Sequence, residues 1–163
     1  MRKNFAFALL GLLVASGALA QSPGDNVPSV IMAPIGKVQV RAGASTELSL
    51  DFRIGSEFHI NSHTPKSELL IPTVLKLQAP DQVMVADVKY PAGQDVTFPF
   101  SPDEKLSVYS GDFSIDTVIK APANAAAGTY PVTGTLRFQA CDHSACYPPK
   151  SIPVQFQVTV VKK

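Results

Sequence analysis

Ser151-Ile-Pro-Val-Gln-Phe-Gln-Val-Thr-Val-Val161 decides the fold class. Ile152, Val154, Phe156, Val158 and Val160 recur at every second position, with Pro153, Gln155, Gln157 and Thr159 between them. A period of two places all five apolar side chains on one face of an extended strand, where a helix would scatter them. The same alternation recurs upstream: Val38 and Val40; Leu48, Leu50, Phe52 and Ile54; Leu75 and Leu77; Val83 and Val85; Phe113, Ile115 and Thr117. Val132, Leu136 and Phe138 share the face of a further strand. Turn-forming groups separate these runs at Pro80-Asp81, Pro91-Ala-Gly93, Ser101-Pro-Asp103 and Ala127-Gly128. Only Ala121 to Ala127 has helix-friendly composition, and Pro122 makes it a short turn or loop. Short strands at this spacing predict an all-β domain of the β-sandwich type.

The two predicted last strands, Thr133 to Ala140 and Ser151 to Val161, bracket the only two cysteines, Cys141 and Cys146. Any thiol chemistry is therefore confined to this connection at a sheet end. A tight turn across it can bring the two Cα atoms within the usual disulfide span of about 4.4–6.8 Å. So small a ring is a poor staple for a whole domain, since chain entropy assigns it only about 2 kcal/mol. Pro148 and Pro149 lack amide protons and cannot extend a ladder, so they hold the backbone after Cys146 open to a partner. Loops at the end of a sandwich are where such folds commonly present function.

Met1 to Ala20 reads as a secretory signal peptide: Arg2 and Lys3, an apolar run from Phe5 to Val14, then Ala18-Leu19-Ala20 before Gln21. Cleavage after Ala20 is expected, with no cysteine at the junction to carry a lipid anchor. No other stretch approaches the roughly 20 apolar residues of a membrane span, so stable membrane insertion is not expected. Residues 21–34 read as a flexible leader rich in Ser, Pro, Gly and Asn, and 35–163 as the folded domain. Loss of Arg2 and Lys3 takes the formal charge from +1 to −1, and only Lys162-Lys163 forms a basic pair. Near-neutrality without a basic block gives no footprint for nucleic acid.

Gln139-Ala-Cys-Asp-His-Ser-Ala-Cys-Tyr-Pro-Pro149 resembles the redox-active segment of the N-terminal periplasmic domain of the thiol:disulfide interchange protein DsbD. Phe58-His-Ile-Asn-Ser-His-Thr-Pro65 with Leu70-Ile-Pro-Thr73 is similar to the same family. So is Tyr90-Pro-Ala-Gly93, leading through Phe98-Pro-Phe100 to Leu106-Ser-Val-Tyr-Ser-Gly111. The three stretches stand in the expected order and span nearly all of the chain after the signal. The resemblance implies an immunoglobulin-like sandwich in the periplasm that relays reducing equivalents through a reversible Cys141–Cys146 disulfide. It also implies Cys146 as the sulfur that forms the mixed disulfide with partners and Cys141 as the resolving thiol. Phe98 and Phe100 fall at the position of the family's cap loop, with ordinary core packing as the alternative. His59 and Asn61 fall on the strand beside the cysteines, with an exposed polar strand face as the alternative.

Asp142 and His143 lie inside the ring, and Tyr147 follows it. A carboxylate there would raise thiol pKa values and an imidazolium would lower them, so their net effect has no sign from sequence. The resemblance implies neither an organic cofactor nor a metal. Full-length DsbD continues into a membrane domain and a thioredoxin-like domain that this chain, ending at Lys163, does not contain. The expected partners are therefore a separate membrane electron-transfer protein or thioredoxin-like donor, and oxidised periplasmic thiol proteins such as isomerases or cytochrome-maturation factors. Two other classes stay open on the residues alone: a structural sandwich whose bridge is a non-exchanging clasp, and a Cu(I) or Zn(II) module using Cys141, His143 and Cys146. No nucleophile elbow or metalloprotease motif frames the Ser, His and Asp residues for hydrolysis.

Overall fold

The computed structural model describes residues 29–162. The signal peptide expected over 1–20, the first part of the leader and Lys163 lie outside the described residues. Twelve strands follow in order: β1 (Val30–Met32), β2 (Val38–Arg41), β3 (Ser45–Ile54), β4 (His59–Asn61), β5 (Val74–Gln78), β6 (Met84–Lys89), β7 (Gln94–Phe98), β8 (Ser101–Ser110), β9 (Asp112–Lys120), β10 (Gly128–Phe138), β11 (Ala140–Cys141) and β12 (Lys150–Val161). No helix occurs among the described residues, and hence none long and apolar enough to cross a membrane.

The alternating pattern does what its period demands. Along β12, Val154, Phe156, Val158 and Val160 are buried while the Gln residues between them face outward. Along β9, Phe113, Ile115, Thr117 and Ile119 are buried in the same way. Two four-stranded sheets, in the orders β1-β3-β9-β6 and β2-β12-β10-β5, turn these faces toward one another. Leu50, Phe52, Ile115 and Ile119 from the first meet Val132, Leu136, Phe138 and Val158 from the second in one continuous core. The result is an all-β, immunoglobulin-like sandwich. Its longest ladder is the antiparallel β10–β12 pair, in register from Gly128↔Val160 to Phe138↔Lys150.

A third sheet, β11-β4-β8-β7, stands at one end and carries the cysteines. Two of the crossings between it and the facing sheets turn on single residues. β8 passes into β9 through Gly111, whose φ of +65° is a left-handed conformation that glycine adopts without a Cβ penalty. β10 passes into β11 through Gln139, so the strand expected to run unbroken from Thr133 to Ala140 ends at Phe138 and changes sheet. A small second cluster, Phe98, Leu106 and Val108 with Leu70 and Val96, fills the end sheet separately from the main core.

Two further expectations need correction. The leader predicted over 21–34 contains β1, because Val30 and Met32 pair with Ile54 and Phe52 and pack toward the core. The turn predicted at Ser101-Pro-Asp103 sits two residues earlier, at Pro99-Phe100, and Ser101 already pairs with Phe98 across it. Pro102 is tolerated inside β8 because it is exposed at an irregular point of the β7–β8 ladder, where no amide is needed.

Candidate functional site

Cys141 and Cys146 form a disulfide with an S–S distance of 2.04 Å and Cα atoms 3.9 Å apart. Local pairing explains the short span. The Asp142 amide donates to the Ala145 carbonyl at 2.9 Å and the Tyr147 amide to the Ala140 carbonyl at 2.8 Å. The two cysteines are thus the non-hydrogen-bonded pair of a tiny antiparallel ladder, the pair type in which Cα atoms come closest. The burial of the two is unequal: Cys141 is fully buried, whereas Cys146 is partly exposed.

Asp142 ties the ring together. Its Oδ1 accepts from the amides of Ser144 (2.6 Å) and Ala145 (2.9 Å), and its Oδ2 accepts from the Tyr147 hydroxyl at 2.6 Å. The Tyr147 hydroxyl first, and then the two amides, hold the carboxyl at about 2, well below its ordinary value. The same bond pushes the Tyr147 phenol up. Tyr147 is braced in turn by an edge contact with Phe58, ring centroids 5.9 Å apart. His143 is exposed on the turn and meets the edge of Phe98 at 6.3 Å. Pro148 and Pro149 are exposed between Cys146 and β12.

β4 runs antiparallel to β11 and sets His59 opposite Cys141. His59 and Asn61 are both buried, which removes the exposed-face alternative for each. The His59 ring stacks on Phe98 at 4.0 Å, and Phe100 stacks on Phe98 at 5.4 Å. Phe98 is buried and Phe100 exposed, and the two stacked aromatics of the β7–β8 turn form a layer over this end of the sheet. Burial beneath that layer, with His143 nearby, lowers the His59 pKa to about 4, and Asp142 opposes the shift. Asn61 donates through Nδ2 to the Ile71 carbonyl (3.1 Å) and to Gln139 Oε1 (3.0 Å).

Gln139 was the residue without an assigned role. Its Oε1 accepts from Asn61 Nδ2 and from the Ile71 amide (3.1 Å), and its Nε2 donates to the Tyr147 carbonyl at 3.3 Å. It thereby links β4, the loop before β5 and the residue after Cys146. Its place two residues before Cys141 in the motif was the one sequence signal; Asn61 and Ile71, two of its three partners, are distant in the chain. Among the described residues, no three His, Cys, Asp or Glu side chains are grouped to hold a metal ion.

The family model for the thiol:disulfide interchange protein DsbD, N-terminal, matches residues 30–157. The chain belongs to this family. The match takes in β1 through most of β12, so the DsbD N-terminal assignment covers both facing sheets and the end sheet that holds the cysteines. With its paired cysteines, the DsbD N-terminal-like chain is a thiol:disulfide interchange domain. No curated protein sequence matches it. Among solved structures, the complex between the DsbD N-terminal and PilB N-terminal domains from Neisseria meningitidis is 18% identical at a TM-score of 0.44, covering 85% of this chain and 88% of that one. The seventh ScaB type I cohesin from Pseudobacteroides cellulosolvens is 16% identical at 0.49, covering 82% and 92%. AggA, a fimbrial subunit from Escherichia coli, is 9% identical at 0.41, covering 83% and 95%.

Proposed function

We propose that this domain relays reducing equivalents in the periplasm, from a membrane or thioredoxin-like donor to oxidised thiol proteins, through reversible opening of the Cys141–Cys146 bridge. The observation that carries the reading is the unequal burial of the two sulfurs' residues in a minimal ring at the end of the sandwich. A donor thiolate attacks Cys146, forming a mixed disulfide and expelling the Cys141 thiolate. A second donor thiol then breaks the mixed disulfide and leaves the dithiol. In the forward half of the relay, the Cys146 thiolate attacks the customer's disulfide and Cys141 resolves the product. Cys141, held within the β4–β11 ladder, stays in place as the resolving thiol throughout. Phe98 and Phe100 act as the cap over this end of the sheet, and a partner reaches Cys146 from the side of Pro148 and Pro149.

The test is the reduction potential of the pair, set by equilibration in graded glutathione or dithiothreitol buffers with counting of free thiols. A value of roughly −270 to −180 mV, between thioredoxin and the isomerases, is expected of a relay. A value below about −300 mV marks a structural clasp and overturns the proposal.

A further inference from the structure

Of the buried side-chain polar atoms in the described residues, His59 Nε2 and Asn61 Oδ1 have no hydrogen-bond partner. A buried polar atom without a partner is costly, so its retention asks for a use. Asn61 otherwise serves the Gln139 network. His59 makes no hydrogen bond of its own through Nε2, is only 5% exposed, and stands directly opposite Cys141 in an antiparallel ladder. Directly opposed residues of such a ladder present their side chains on one face, with Cβ atoms about 4.5–5.5 Å apart. The imidazole is therefore a neighbour of the resolving sulfur, and Phe98 lies flat over it at 4.0 Å. A cavity beside the imidazole is lined by His59, Phe98, Ser110, Glu57 and His143, giving solvent a place to enter once the phenyl ring leaves.

We propose that His59 accepts the proton of Cys141 in the resolving step, and that Phe98 keeps this base silent until a partner uncovers the site. The inference rests on the thiol-exchange reading above. In the first step, the Cys146 thiolate attacks a disulfide R–S–S–R, the Cys146–S–R bond forms, and one R–S⁻ leaves. In the second, His59 takes the proton of the Cys141 thiol, and the resulting thiolate attacks Cys146. The Cys141–Cys146 bond forms, the Cys146–S–R bond breaks, and the imidazolium returns its proton to the second R–S⁻. Two electrons pass from the dithiol to R–S–S–R, and the two protons follow.

The gating follows from solvation. Beneath Phe98 the ring stays neutral, as its lowered pKa of about 4 reflects, and it is then a weak base. Exposed to water, a histidine titrates near 6.5 and becomes a competent proton acceptor at neutral pH. The groups facing it are Cys141 from β11, Ser110 from β8 and Phe98 from β7, with Glu57 before β4 and Asp142 and His143 from the disulfide turn. Displacing Phe98 thus both opens the cavity beside His59 and strengthens the base.

The experiment uses the reduced full chain and glutathione disulfide as the probe, with the glutathionylated intermediate followed by quenched-flow mass spectrometry. His59→Asn is expected to leave formation of the Cys146 mixed disulfide unchanged at pH 7 and to prolong its lifetime at least about a hundredfold, the lower end of what a positioned base contributes. An unchanged lifetime overturns the proposal. Absence of any Cys146 mixed disulfide in the unsubstituted chain overturns the exchange reading itself, so the two failures are distinct. NMR titration of the His59 ring in the unsubstituted chain and in Phe98→Ala needs no change at the histidine. Its midpoint should move from about 4 toward 6.5 when the phenyl cover is removed. An unmoved midpoint overturns the gating. Phe98 belongs to the small end cluster, so Phe98→Ala leaves the main core intact.

Discussion

Gln139 bears no charge and no nucleophile, yet its side chain joins three parts of the site through bonds of 3.0, 3.1 and 3.3 Å. Gln139→Leu leaves the Ile71 amide and one Asn61 donor without this acceptor in a partly buried place. Such groups cost about 1–3 kcal/mol each, so a loss of about 2–3 kcal/mol is expected in urea unfolding of the disulfide-intact protein. Asp142 supplies a pH test. Its carboxyl is held at about 2 in the fold, against an ordinary value near 3.8. A depressed carboxyl contributes stability that is present above about pH 4 and lost as the pH falls through about 2. The turn should therefore loosen only in that acid window, seen as faster reduction of the disulfide by a phosphine, whose nucleophile does not depend on thiolate. Asp142→Asn should remove the acid step.

At the scale of the element, the β5–β10 pair depends on a close approach at Gly134. A Cβ there would lie 2.0 Å from the Lys76 carbonyl oxygen and 2.9 Å from Leu77 Cδ2. The first obstacle is backbone and cannot swing aside, so the ladder must part. Gly134→Ala is expected to cost about 3 kcal/mol, at the upper end of ordinary overpacking, and to speed hydrogen exchange of the amides of β5. Strand faces were readable from alternation because burial of one face repeats every second residue, as in β9 and β12. β1 was missed because three residues are too few for a period to show. The β7–β8 turn was displaced because Ser101-Pro-Asp103 has turn composition while the reversal is set by the Phe98↔Ser101 pairing.

For the whole molecule, the bridge contributes little to holding the sandwich together. It closes a ring of sequence separation 5, while the β10–β12 ladder and the shared core continue without it. The reduced protein should remain folded, with an unfolding free energy lower by about 2 kcal/mol, checked by denaturation with and without reductant. A protein that unfolds on reduction could not cycle, so this outcome also bears on the relay. The all-β class, the faces of the long strands and the confinement of thiol chemistry to Cys141 and Cys146 are legible in the residues alone. These follow from local periodicity and from there being only two cysteines. It takes the folded chain to bring Ile71 and Asn61 to Gln139, to set His59 opposite Cys141, and to lay Phe98 over His59. Those contacts join residues distant in the chain, and a strand's own alternation says which face is buried but not which neighbour buries it.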